Sequence, residues 1–405
     1  MSAQPLAAAG ISSGRSFQLV ASLLLTAVVV VCLLNSDVYY AFLVGPFFGY
    51  GLAATLILQV RAKAPPLDFV AVFLLAVVFF CVDWFGLHYT ITIASFYSFV
   101  GLASLLVFGL RTIWARGNRE LLIYCFLPAL ALAIGMRFDA FFLAHSASMH
   151  GKTLDLYLYA ADCSFGLQCP YIVGQFFMRH RWIGRLSLFV YESCMVPLVL
   201  VYAVMFAQRK RALNAFVAFA IAGPIDVVLF LLVPGVGPIY AFPNFPIPPL
   251  HTADVARLVL EPIVVTAPRN AIPSLHLTWA LLAYWNTRRG PLWLRVLTFI
   301  LVIGTVLATL GTGQHYLVDL IAAVPFSLLV QALASNSFRV PRQAWTVPFI
   351  VGLLLTLIWL ALVSFGVRLL WSSLAIPWLL SAATLLLSGF FYVRLRRQED
   401  QELAS

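Results

Sequence analysis

The chain is poor in charge: 25 Lys and Arg stand with 15 Asp and Glu among 405 residues, a charged fraction of 10%. Soluble domains carry about 25% charged residues, so a large water-exposed domain is excluded. The six cysteines have no metal-ligand spacing, which removes a cysteine-built metal centre. No Gly-rich nucleotide-binding loop, no lipidation signal and no internal repeat is present. What the chain has is apolar surface. Hydrophobic residues make up 62% and the mean hydropathy is +0.97. Twelve spans of about 20 residues need about 240 residues, close to that fraction. The reading is an all-α integral membrane protein.

Apolar runs of spanning length fall at 16–35, 39–60, 67–87, 88–110, 120–136, 186–207, 215–234, 273–286, 296–312, 315–334, 345–364 and 372–392. Segment 138–185 is mixed polar and aromatic and reads as re-entrant or lying in the interface. Segment 235–272 holds too many prolines to cross lipid as a helix. With both termini placed in the cytoplasm, 17 of the 25 basic residues fall inside and 8 outside. Five of those eight (Arg137, Lys152, Arg179, Arg181 and Arg185) lie in or beside segment 138–185. The net charge of +10 is therefore a topology signal and not a nucleic-acid footprint. The first span follows Arg15 with no small-residue cleavage site after it, and reads as a retained anchor. The expected organisation is a membrane region at 1–119, a core at 120–334, two further spans at 335–393 and a cytoplasmic tail at 394–405.

On this topology all seven histidines, His88, His145, His150, His180, His251, His276 and His315, face the outer side. Two of them sit in motifs. His315 and Asp319 in GQHYLVD are four residues apart, which puts them on one helix face within hydrogen-bonding reach. An ionisable pair inside a span marks a functional site by default, a helix-packing pair being the bland alternative. The other motif is RNAIPSLH, from Arg269 to His276. Pro273 suits the first turn of a helix. Ser274 and the N–H groups after it suit an anion at that helix N-terminus. One histidine can then attack phosphorus while the aspartate holds its tautomer, and the other can protonate the departing oxygen.

PSLH followed some 39 residues later by HYLVD resembles the type 2 phosphatidic acid phosphatase superfamily. More narrowly it is similar to the branch of fungal inositol phosphorylceramide synthase and its bacterial relatives, through DLYLYAADCSFG (155–166), VPGVGPIYAFP (233–243) and NAIPSLH (270–276). The resemblance covers about 139–334 and implies a six-helix core formed by the fifth to tenth spans. It implies His315 as the nucleophile forming a phosphohistidine, Asp319 as its orienter, His276 as the acid, and Ser274 with nearby N–H groups as the phosphate cradle. Asn270 is expected beside the substrate. Asp155 and Asp162 are expected at the mouth of the site against a polyol acceptor, with helix capping as the alternative. Gly237, Pro238 and Tyr240 are expected to form a turn over the site, Tyr240 as a hydrogen-bond donor.

The family's KxxxxxxRP stretch is missing, and its Arg six residues before the nucleophile is Thr309 here. Arg269, facing outward, is the expected substitute for these arginines, an ordinary loop cation being the alternative. Their loss tilts the reading from phosphatase to phosphotransferase. Cys163 and Cys169 are close enough in sequence to pair in an oxidising compartment.

The expected activity is transfer from a lipid-linked phosphate (phospholipid, sphingolipid or polyprenyl phosphate) to an alcohol or polyol acceptor, or to water. It would occur at the outer face of the plasma (inner) membrane, with no cofactor, no metal and no nucleic-acid partner. Two alternatives belong to other classes. A polytopic glycosyltransferase would use an acid in the first outer loop, here Asp37, and would depend on a divalent metal. A transporter would place paired charges near the bilayer midplane, where this chain has few.

Overall fold

A computed structural model of the chain describes residues 18–27, 29–30, 45–87, 93–115, 117, 119–247, 258–336 and 342–402. Asp37, His88, His251 and Cys32 lie outside the described residues. The chain divides into two compact units, 1–141 and 142–405.

The first unit contains α1 (Gln18–Ala27), α2 (Pro46–Ala53), α3 (Thr55–Arg61), α4 (Pro66–Val82) with a π-turn at Asp83–Leu87, and α5 (Ile93–Trp114). Side-chain hydroxyls and amides bind these apolar helices together. Thr55 Oγ1 donates to Ser104 Oγ at 3.0 Å and Gln59 Nε2 to the Ser104 carbonyl at 2.7 Å. Arg111 pairs with Asp68 at 2.7 Å. In lipid, where apolar contact alone gives helices little reason to associate, such contacts fix partners.

Helix α6 (Arg119–Met149) leads into the second unit. Segment 138–185, expected to be re-entrant or to lie in the interface, opens as the end of this helix. Between Gly135 and Gly151 there is no Pro or Gly, and polar residues without a breaker do not interrupt a helix. Three short helices follow, α7 (Asp155–Cys163), α8 (Cys169–Arg179) and α9 (Arg181–Glu192). Helix α9 joins α10 (Met195–Met205) at a 53° bend. Then come α11 (Arg209–Leu232), the single turn α12 (Pro238–Ala241), α13 (Leu275–Asn286), α14 (Leu292–Gly311), α15 (Leu317–Asn336), α16 (Arg342–Phe365), α17 (Val367–Trp371) and α18 (Ala375–Glu402). The Pro-rich loop contributes the one strand pairing among the described residues. There β2 (Ile263–Val264) runs antiparallel to β1 (Lys152–Thr153).

Among the described residues eight helices are long and apolar enough to cross a membrane, or nine if α9 and α10 form one bent span. Of the twelve runs read from the sequence, 16–35, 39–60 and 88–110 lie partly outside the described residues, and 273–286 is the 12-residue helix α13. Helix α15 is the centre of the second unit. Its membrane-length window is 83% buried, against 17–56% for the other seven, because α11, α13, α16 and α18 all pack around it. Leu277 of α13, Leu310 of α14 and Leu320 and Ala323 of α15 form a core cluster directly behind the histidine motifs.

Candidate active site

The two motifs meet at the N-terminal ends of α13 and α15. His315 is 2% exposed, and its Nδ1 stands 3.3 Å from Asp319 Oδ2. The same carboxylate oxygen accepts the Tyr316 backbone N–H at 2.9 Å, which fixes its orientation. The Ala271 backbone is a further hydrogen-bond partner of the His315 ring. The link between the motifs is a backbone bond, in which the Ser274 N–H donates to the Asp319 carbonyl at 3.2 Å. His276 lies close enough to His315 for the two rings to interact electrostatically. It is stacked on Tyr191 of α9, with centroids 4.0 Å apart and planes at 24°, and Trp279 meets it edge-on at 5.9 Å.

Pro273 is not in the first turn of α13. Ser274 is the N-cap with extended backbone, and its Oγ accepts the Leu277 N–H at 3.4 Å, so the helix begins two residues later than the proline pattern implies. Thr309, where the resemblance leads one to expect an arginine, is fully buried. Its carbonyl accepts the N–H groups of both Gln314 and His315, so it anchors the turn before the histidine.

Asp155 and Asp162 sit seven residues apart on α7 and are buried. They face the protein's own donors. Asp162 takes the N–H of Leu317 at 2.8 Å and of Val318 at 3.0 Å, one on each oxygen, and thereby caps the first turn of α15. Asp155 Oδ1 accepts from the Tyr316 hydroxyl at 2.9 Å and the Gly237 N–H at 3.0 Å, and both oxygens lie 3.2 Å from the Val236 N–H. Capping, the alternative to acceptor contact, is what Asp162 does in the fold. Burial pushes the Asp162 carboxyl up to about 8, against the two N–H groups that favour its charged form. Burial likewise raises the Asp155 carboxyl, opposed by bonds from Thr153, Tyr316, Val236 and Gly237.

The 237–241 turn docks on the backbone just before His315. Ile239 N–H donates to the Gly313 carbonyl at 2.9 Å, and Gln314 Nε2 reaches the Tyr240 hydroxyl at 3.5 Å. In that contact Tyr240, expected as a donor, is the acceptor; its ring is 47% exposed. Gly237 has φ +88°, and a Cβ there would lie 2.2 Å from the Gln314 carbonyl oxygen, so only glycine fits. Asn270, half-buried, donates its backbone N–H to the Gly235 carbonyl at 3.0 Å.

Arg269 does not face outward. It is 0% exposed, its guanidinium donates to the carbonyls of Ala267 and His150, and its backbone N–H reaches Ser146 Oγ at 2.8 Å. The pairing of β2 with β1 draws this loop inward, and the arginine braces it. Cys163 and Cys169 are both free thiols, Cys163 Sγ accepting from Gln168 at 3.0 Å. Among the described residues no three His, Cys, Asp or Glu side chains gather as metal ligands would. A small cleft lies against Asp162 and Tyr316, walled by Tyr159, Gln168, Pro238 and Phe245; neither histidine lines it.

Residues 156–333 match the family model of the PAP2 superfamily. The matched stretch, just under half of the chain, opens one residue after Asp155 and closes within α15. The PAP2-like stretch thus holds both histidine motifs, Asp162 and Tyr316. Likeness to that superfamily suggests a lipid phosphatase or phosphotransferase in an integral, multi-pass membrane protein. No curated protein and no solved structure matches the chain.

Tyr191 is a neighbour of the site that the sequence did not mark. It lies 85 residues before His276, in a helix without a motif of its own. Tyr316 was within view, as the residue after His315 inside HYLVD, but its partner Asp155 is 161 residues away.

Proposed function

We propose that the protein transfers a phosphoryl or phospho-headgroup from a lipid-linked phosphate to an alcohol acceptor through a phosphohistidine at His315. The observation that carries this reading is the buried His315–Asp319 pair at 3.3 Å, tied through the Asp319 carbonyl to the N-terminus of the helix that bears His276. With Nδ1–H held toward Asp319, the lone pair of Nε2 is directed to the substrate. Nε2 attacks phosphorus, the bond from phosphorus to the leaving oxygen breaks, and His276 delivers a proton to that oxygen. The positive charge on the phosphorylated imidazole is stabilised by Asp319. In the second half His276, now neutral, takes the proton of the incoming hydroxyl as its oxygen attacks phosphorus and the P–N bond breaks. The Ser274 hydroxyl and the N–H groups of the first turn of α13 suit the phosphate oxygens.

The alcohol acceptor is favoured over water because the arginines of a hydrolytic phosphate clamp are missing and Thr309 fills one of their places. Likeness to inositol phosphorylceramide synthases points to a polyol as acceptor. Asp155 and Asp162 then act as positioning residues that hold Tyr316, Leu317 and Val318 in place. The basic-residue asymmetry of 17 to 8 supports cytoplasmic termini, with the site at the outer face of the plasma (inner) membrane.

The experiment is phosphoenzyme trapping with the full chain in lipid nanodiscs and a phosphorus-labelled phospholipid. The expected result is an acid-labile, base-stable label that is lost in His315→Ala and released by an added polyol faster than by buffer. Release by water at the same rate would make the enzyme a phosphatase. A label that persists in His315→Ala ends the mechanism.

A further inference from the structure

The helices that carry the histidines bear a second polar cluster at their other ends. At about 1.5 Å rise per residue, Ser335 lies about 27 Å along α15 from Leu317. That is close to the roughly 30 Å thickness of a bilayer's hydrocarbon layer, so the cluster stands at the opposite interface. Gln331 donates to Asn214 at 2.9 Å and accepts from Asn286 at 2.8 Å, and Arg396 of α18 donates to Asn286 at 2.7 Å.

Beside this chain of bonds is a small cleft open to solvent. Its charged lining is Arg211, Arg288, Arg289, Arg396, Glu399 and Asp400, four arginines against two carboxylates. Both carboxylates are already engaged. Asp400 binds Arg211 and Arg289 at 2.8 Å each, and Glu399 binds Arg396, Ser335 and Asn214. Arg396 is 9% exposed, and its Nε is buried with no partner. A buried donor without an acceptor calls for one, and the lining carries a surplus of two positive charges.

We propose that this cavity is a second anion site, taking the phosphate of an anionic lipid headgroup or a free phosphate, at the end of the helices opposite His315. Guanidinium forks match phosphate oxygens in pairs, and because the cleft opens to solvent only the phosphate itself need reach the arginines. None of its residues takes part in the histidine chemistry. The α11, α13 and α15 helices run from this cavity's polar network to the histidine end, so an anion bound here would brace the same helices.

The test uses the full chain in detergent, titrated separately with dioctanoyl phosphatidylglycerol and with inorganic phosphate. Dissociation constants come from calorimetry, and the His315→Ala background suppresses events at the other site. Arg288→Gln with Arg289→Gln should weaken binding about tenfold or more; both residues stand on an exposed turn, and Arg288→Gln alone is the milder variant. Arg394→Gln with Arg397→Gln removes the same charge from exposed positions outside the cavity lining, and should change binding less than twofold. Weakening for the lipid alone makes a headgroup the ligand; weakening for both probes makes it a free phosphate. Unchanged constants for both probes, or an equal loss in the two double variants, would overturn the proposal.

Discussion

The two ends of α15 are both polar, yet they are built differently. At the histidine end the carboxylates bond mainly to backbone. Asp162 takes the N–H groups of Leu317 and Val318, Asp319 that of Tyr316, and Asp155 those of Val236 and Gly237. At the other end side chains bond to side chains, from Asn214 through Gln331 and Asn286 to Arg396 and Glu399. A backbone N–H cannot choose another rotamer, so a carboxylate that accepts from it fixes main-chain position. A side-chain amide can turn to another partner. The first arrangement fixes the main chain around His315, the nucleophile proposed above, and the second fixes which helices are neighbours.

The largest break of this contrast is chemical. His315→Ala should lower turnover on the order of 10⁴-fold or more, and Asp319→Asn nearly as much, since a nucleophile and its orienter act as one unit. His276→Ala should cost about 10²- to 10⁴-fold, the usual contribution of a general acid. Steady-state kinetics on the purified variants checks all three, and EDTA should leave the wild-type rate unchanged. A rate for Asp319→Asn within threefold of wild type would remove Asp319 from the mechanism.

Asp162→Ala comes next. It strands the Leu317 and Val318 N–H groups, a loss of about 1–3 kcal/mol seen as a lower thermal midpoint. Because those groups begin the helix that follows His315, kcat should also fall, with KM little changed. The Asp162→Asn variant adds a pH test. The folded carboxyl is pushed up to about 8, above an unfolded value of about 3.9. The folded state therefore holds its proton more tightly, and this group removes stability as pH rises from about 4 to about 8. The thermal midpoint of Asp162→Asn should fall less over that window than that of the wild type.

Tyr316→Phe sharpens the comparison with a smaller change. It deletes one donor to Asp155 but leaves the bonds from Val236 and Gly237 in place. A loss of about 1 kcal/mol is expected, with a severalfold lower kcat. A variant that loses stability and keeps full kcat would show that the clamp serves only the fold.

How much of this was legible in the sequence depends on distance along the chain. The closeness of His315 and Asp319 was readable from their four-residue spacing, but not its form: His315 stands two residues before α15 begins, held by the Thr309 carbonyl, and does not share a helix face with Asp319. The membrane helices were readable from hydropathy, although polar residues after Asp139 concealed that α6 runs on to Met149. The clamps were not readable. Asp155 meets Tyr316 across 161 residues, and Asp162 meets Leu317 across 155, with no periodicity to join them. Arg269 failed for a related reason. An arginine in a Pro-rich loop carries no sign of burial, and only the two-strand pairing at 263–264 brings it against backbone carbonyls.

The smallest effect on turnover belongs to the far end of α15. Gln331→Leu removes the bond to Asn214 and the acceptor of Asn286. Asn286 keeps its bond to the Leu282 carbonyl at 2.8 Å, and Asn214 keeps Glu399 at 3.3 Å. Asn286 is not stranded, but Asn214 Oδ1 loses its donor because the bond to Glu399 is made by its Nδ2, so a cost of about 1–2 kcal/mol is expected. Helix α15 remains gripped at its other end by Asp162 and Asp319, and kcat should stay within twofold of wild type. A tenfold drop in kcat would mean that α15 moves as a rigid rod, so that a shift at Gln331 reaches His315. The two ends would then be one device, and the backbone clamps would transmit displacement where the comparison has them resist it.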